Sequence, residues 1–177
     1  ASRDARRTGE TVHFGRVFGL CVEKGSELPV GDKGRKFKYR CVFAGNSVVD
    51  QSWEAAVFQD LGASPSTMAA AKLVDAFACL EGNDGQQADA VQAYPQATFI
   101  GTKTWVALPK EAWPKEWEGK YQNPVVLLKK ALYGHPDAGG FWEDHCLKRL
   151  ISIGFEPVGD WGSLMYHKGW NLLLAVY

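Results

Sequence analysis

The order in which the apolar pattern changes period constrains this chain more than any other feature. Phe37-Lys-Tyr-Arg-Cys-Val-Phe43 alternates as a strand does and is ended by Gly45-Asn46. Residues 46–63 read as an irregular connector. Ser64 and Pro65 then read as the N-cap and first position of a helix whose body is Met68–Leu80, with Leu73, Val74, Phe77 and Leu80 on one face and Gly82 as a stop. Short strands are expected at Ala88–Tyr94, Ala97–Gly101 and Thr104–Leu108. A loop follows over 109–124, which holds Pro109, Pro114 and Pro124. Val125–Leu128 reads as a buried strand, and 134–140 as a loop. Phe141–Ile153 reads as a helix with Trp142, Cys146, Leu150 and Ile153 inward, ended by Gly154. Ser163–His167 and Asn171–Tyr177 read as a hairpin around Lys168-Gly169. Before position 37, Val12–Phe14 and Val17–Val22 are short apolar runs, and Gly25-Ser26 and Pro29–Asp32 are turn signals. Strands, helix, strands, helix and hairpin in that order imply an α+β fold, with helices packed on one face of an antiparallel sheet.

Composition narrows the class further. The 177 residues are 46% hydrophobic and 23% charged, near the globular average, so wholesale disorder is excluded. No run of 18 apolar residues is present. Twenty basic side chains balance twenty acidic ones, but unevenly. Residues 1–45 carry a net +5, residues 46–99 a net −6 and residues 100–177 a net +1. A basic stretch beside an acidic one suits a surface that meets phosphates next to one that holds cations, and equally suits solvated faces of mixed charge. Cys21, Cys41, Cys79 and Cys146 lie too far apart for a paired zinc motif and read as free thiols. His145 and Cys146 are adjacent, so on a helix they diverge and form no nucleophile–base pair. Ala1 opens a polar, basic segment with no apolar signal region. The expected location is therefore intracellular, cytoplasmic or nuclear, with no membrane partner. The missing initial Met points to a processed chain or a piece of a longer one.

Several residues stand out as candidates. Alternation along the first strand sends Lys36, Lys38 and Arg40 to one face. Lysines meet a polyphosphate as point charges and arginine meets it with a bidentate fork; the same strand also reads as an edge guarded by charge. Asp89 opens a short segment that ends in Tyr94. His135-Pro136-Asp137 follows a basic, apolar stretch and is similar to the loop tripeptide of J-domain cochaperones. That reading needs a helix between Pro124 and Gly134, where Val125-Val126 favours a strand; a simple proline turn is the alternative.

Four blocks carry a wider resemblance. They are Lys38-Tyr-Arg-Cys-Val-Phe-Ala-Gly45, Asp89-Ala-Val-Gln-Ala-Tyr94, Leu128-Lys-Lys-Ala-Leu-Tyr-Gly134 with Trp142, and Gly154-Phe155 with Ser163-Leu-Met-Tyr166. Together they resemble the reverse transcriptase domain of copia-type LTR retrotransposon Pol polyproteins over roughly residues 35–177. The resemblance implies fingers and a partial palm of a right-hand polymerase. Residues 1–34 would be an N-terminal extension or the start of the fingers, 35–63 fingers strands, and 64–108 a palm part with the first catalytic Asp. Residues 109–140 would return to the fingers, and 141–177 would be a palm helix and truncated hairpin.

The implied chemistry is addition of deoxynucleotides to a primer on an RNA or DNA template, with two Mg²⁺ ions. Asp89 would be the catalytic, metal-holding carboxylate. Arg40, Lys38, Tyr94 and Asp137 would bind the nucleotide. Lys129 and Lys130 would contact template and primer. Implied partners are primer–template, dNTPs and the rest of the Pol polyprotein. Where the family carries Gln and then Ala-Pro-Arg before the Trp, this chain has Asp137-Ala-Gly-Gly140; an acid there repels a triphosphate unless it turns away. The family's Tyr-x-Asp-Asp turn would begin at Tyr177, so the chain is expected to lack that carboxylate pair and to be inactive alone. A non-catalytic nucleic-acid-binding relic of a retroelement is the alternative from another class.

Overall fold

The computed structural model describes residues 1–58 and 66–176. It is a mixed α+β structure with two sheets rather than one. Helix α1 (Ser2–Thr8) leads into the long strand β1 (His13–Lys24), which turns back as β2 (Lys36–Phe43). Two-residue β3 (Val49–Asp50), helix α2 (Met68–Ala78), one-turn α3 (Ala93–Gln96), β4 (Thr104–Ala107) and β5 (Val125–Leu127) follow. Helix α4 (Ala138–Ser152) then precedes β6 (Glu156–Val158), β7 (Trp161–His167) and β8 (Leu172–Ala175).

The first sheet has the order β2-β1-β4-β5, with β3 also pairing with β1. The pairing of β1 with β4 is parallel, His13 opposite Thr104, so this sheet is mixed and not antiparallel throughout. The second sheet is antiparallel, in the order β6-β7-β8. Helix α3 packs on α4, and α2 packs on β8.

Two cores hold the first sheet and α4. Val17, Phe43, Val48 and Val106 form one, with Phe58, Leu108, Val126 and Leu132 against it. Ala97, Ala131, Ala138 and Phe141 form the other, with Tyr94 and Phe99 against it. The far half of the β1–β2 hairpin projects beyond both, leaving Phe18, Leu20, Val22, Phe37 and Tyr39 exposed. Its open end is tied by Arg35, whose Nε and Nη2 donate to Glu23 at 2.8 and 2.9 Å and whose Nη1 donates to the Leu28 carbonyl.

Several expectations change. Ala88–Tyr94 forms no strand: residues 83–90 are irregular, 91–92 turn, and Tyr94 lies in α3. Its side chains do not alternate in burial, so nothing sets a pleat there. Ala97–Gly101 contributes only an isolated bridge, Thr98 to Lys130. Helix α2 is capped by Thr67, whose hydroxyl accepts from the Ala70 amide, and Leu73 and Leu80 on its expected inner face are exposed. The expected cap at Ser64-Pro65 lies outside the described residues, as does Tyr177. Helix α4 begins three residues early, because Ala138 and Phe141 are both buried in the second core. Ile153, expected inward, is 53% exposed. Strands β2, β5, β7 and β8 lie where the apolar pattern places them.

One glycine fixes how β2 meets the loop before α4. Gly134 has φ +84, and a Cβ there would run into the Phe43 carbonyl oxygen and the Val42 side chain. The backbones approach this closely because the Phe43 amide donates to the Tyr133 carbonyl at 2.7 Å. Gly134→Ala is expected to lower stability by about 2 kcal/mol or more, since a left-handed residue with a side chain is strained even without a clash. Urea denaturation of the two chains checks it; a loss below about half a kcal/mol would contradict this packing.

Candidate functional site

A cleft of about 850 Å³ opens between β2 and the segment around α3. It is lined from β2 by Lys38 and Arg40, from the irregular segment by Asp89, and from α3 by Tyr94. Tyr133 and Trp142 complete its wall. Residues more than fifty positions apart in sequence thus meet in one concavity.

The β2 side follows from register. Paired residues of an antiparallel ladder share a face, so Arg40 opposite Leu20 and Lys38 opposite Val22 form a basic row beside an apolar one. Neither Lys38 nor Arg40 makes an ion pair among the described residues. Arg40 holds its guanidinium carbon 5.9 Å from the centre of the Tyr133 ring, within cation–π range. Tyr133 in turn meets Tyr94, with ring centres 4.8 Å apart at 60°. The three side chains form a continuous row of cation, ring and ring. A phosphate group and an aromatic base are the ligand parts such a row can hold together.

Asp89 lies exposed on irregular backbone and lines the cleft. Among the described residues no three His, Cys, Asp or Glu side chains gather closely enough to hold a metal. One solvent-exposed carboxylate does not make the bridged pair of sites that two Mg²⁺ ions require, so the donor set does not fit that group.

The remaining expected site residues lie elsewhere. Lys130 directs its Nζ to the Gln96 carbonyl at 2.8 Å and so ties α3 to the strand-like segment before Ala131. Lys129 is exposed, with its carbonyl accepting from the Phe99 amide at 3.0 Å; neither lysine lines the cleft.

Asp137, expected at the nucleotide with Lys38, Arg40 and Tyr94, is 5% exposed and does not line the cleft with them. Its amide donates to His135 Nδ1 at 3.2 Å, and its Oδ1 is buried without a hydrogen-bond partner among the described residues. His13 on β1 is buried in the same region and faces both Asp137 and Asp50. Burial is the main cause that lowers the pKa of both histidines, pushing His135 down to about 4. His135 and Asp137 are therefore interior while Pro136 between them is exposed, and strand β5 with irregular backbone precedes the tripeptide, where the J-domain comparison needs a helix.

Sequence reasoning assigned no role to Tyr133, Trp142 or His13. Tyr133 and Trp142 lie within the block Leu128–Gly134 and its following Trp, so the signal was present as a motif without a function. No family model, no curated protein and no solved structure matches this chain. No helix among the described residues is long and apolar enough to cross a membrane.

Proposed function

We propose that this chain is the fingers and part of the palm of a copia-type reverse transcriptase, and that the cleft receives the incoming deoxynucleoside triphosphate beside the primer–template. One observation carries the reading. Lys38, Arg40 and Tyr94, which the resemblance assigns to the nucleotide, line the same 850 Å³ cleft as Asp89, which it assigns to the metal; Asp137, the fourth residue assigned to the nucleotide, does not line it. Arg40 and Lys38 would meet the triphosphate, and Tyr94 with Tyr133 would bear on the sugar and base. Cations on the phosphates and rigid positioning are the parts of phosphoryl transfer that a protein supplies.

The parent activity in this reading is RNA-directed DNA polymerisation with Mg²⁺. The 177-residue polypeptide brings one of the carboxylates and is expected to bind without extending a primer. Primer extension and dNTP binding are therefore measured side by side on it. Saturable dNTP binding with no extension is expected, and Arg40→Ala should weaken binding about tenfold through loss of a charge-assisted contact. Template-dependent synthesis by this polypeptide would overturn the division of labour. Binding unchanged by Arg40→Ala would remove the cleft from the reading.

The non-catalytic nucleic-acid-binding relic remains the second reading, favoured by the lone exposed Asp89. It predicts salt-dependent binding to primer–template that Asp89→Ala leaves intact.

A further inference from the structure

We propose that the buried cluster of His13, His135 and Asp137 is an acid-sensitive latch that holds the Tyr133 wall of the cleft in place. The latch is a property of the fold and does not depend on what the cleft binds.

His135 sits in a cage of phenylalanines. Its ring centre lies 4.9 Å from Phe43, 5.3 Å from Phe58, 4.9 Å from Phe99 and 6.1 Å from Phe141. Inside this cage Nδ1 accepts the Asp137 amide, so the neutral ring carries its proton on Nε2. Among the described residues that Nε2 is buried with no partner, and so is Asp137 Oδ1. The arrangement holds together only with the ring neutral. A second proton would have to go on Nδ1, where an N–H would face the Asp137 N–H. Two donors cannot share that contact, so the ring must rotate or leave the cage. Such a ring is also a poor metal ligand, because Nε2 has no free lone pair while Nδ1 is an acceptor.

Among the described residues, the charged groups that face the latch are Asp137 and Asp50, beside the two histidines themselves. Asp137 faces His135 from its own loop and favours the charged ring, while His13 faces it from β1 and opposes it. His13 is faced by Asp137 and by Asp50 of β3, both favouring its charged form. The phenylalanines add no charge. Burial outweighs the carboxylates for both rings.

The connection to the cleft is direct. His135 is two residues after Tyr133, and its amide closes the turn on the Leu132 carbonyl at 3.1 Å. Tyr133 is held to β2 by the bond between its carbonyl and the Phe43 amide, and Phe43 is itself a wall of the cage. A ring that swings out loosens the turn that carries Tyr133, and the cleft wall with it.

The test follows the Tyr133 ring of the 177-residue chain by nuclear magnetic resonance between pH 7 and pH 3.5, while near-ultraviolet circular dichroism reports global unfolding. The Tyr133 ring resonances are expected to shift as pH falls toward 4, before unfolding. In His135→Phe, or His135→Gln if that variant folds better, they should stay fixed. A shift of the same size in the variant, or none in wild type before unfolding, overturns the latch. Nuclear magnetic resonance on wild type gives a variant-free check. The His135 ring and the Tyr133 ring should titrate with one midpoint, and separate midpoints would overturn the proposal.

Discussion

Phe43→Ala lowers the unfolding free energy by about 4 kcal/mol, the largest effect expected of any single substitution considered for this chain. Phe43 is 1% exposed and is the largest side chain at the centre of the first core. Its ring lies so close over Gly15 that a Cβ there would meet it at 2.6 Å, and it stands 4.9 Å from the His135 ring. Truncation removes most of a fully buried aromatic. It also leaves a cavity between β1, β2 and the His135 loop, which the surrounding backbone cannot fill by collapse because three elements converge there. Phe43→Leu, keeping more of the volume, should recover a good part of the loss. Urea denaturation measures both; a deficit near 1 kcal/mol for the alanine variant would mean that Phe43 is not the centre of this core.

The second large effect is on pH dependence. Burial lowers the His135 pKa from its ordinary 6.5 to about 4, and that of His13 in the same direction. The unfolded chain then takes up protons from pH 6.5 downward, while folded His135 stays neutral until near pH 4. The unfolded state binds more protons in that window, so stability rises with pH across it. The contribution is fully present above about pH 6.5, declines as pH falls, and is lost once pH passes below the folded value. For His135 alone the span is worth about 3 kcal/mol. Urea midpoints at pH 7, 6, 5 and 4 give the slope. His135→Phe should flatten it and leave the smaller share from His13. Parallel slopes in the two proteins would place the acid sensitivity on other groups.

The sequence made some of this legible and hid the rest for physical reasons. Strand β2 and the β7–β8 hairpin are read correctly because alternation and turn residues are local signals. The parallel pairing of β1 with β4 is invisible, since His13 meets Thr104 across ninety residues and nothing local encodes it. Gly139 and Gly140 disguise the start of α4, where burial of Ala138 and Phe141 overrides low helix propensity. The stretch Ala88–Tyr94 looks strand-like in composition, yet among the described residues it has no partner strand, and it turns into α3.

Lys38, Arg40, Asp89 and Tyr94, singled out by a motif resemblance, share the lining of one cleft. Tyr133 becomes visible only when its ring is seen between Arg40 and Tyr94. Asp137 shows the converse: a residue placed by motif at the nucleotide lies buried among histidines, where no linear pattern puts it.

The central claim is that the cleft between β2 and α3 receives a deoxynucleoside triphosphate. Photocrosslinking the 177-residue chain with an azido-base deoxynucleoside triphosphate and mapping the adducts by mass spectrometry tests it most directly. The account predicts adducts concentrated in peptides containing residues 37–41, 89–95 and 133, suppressed by excess unmodified dNTP and by Arg40→Ala. Adducts scattered over the surface, or unchanged in Arg40→Ala, would contradict it.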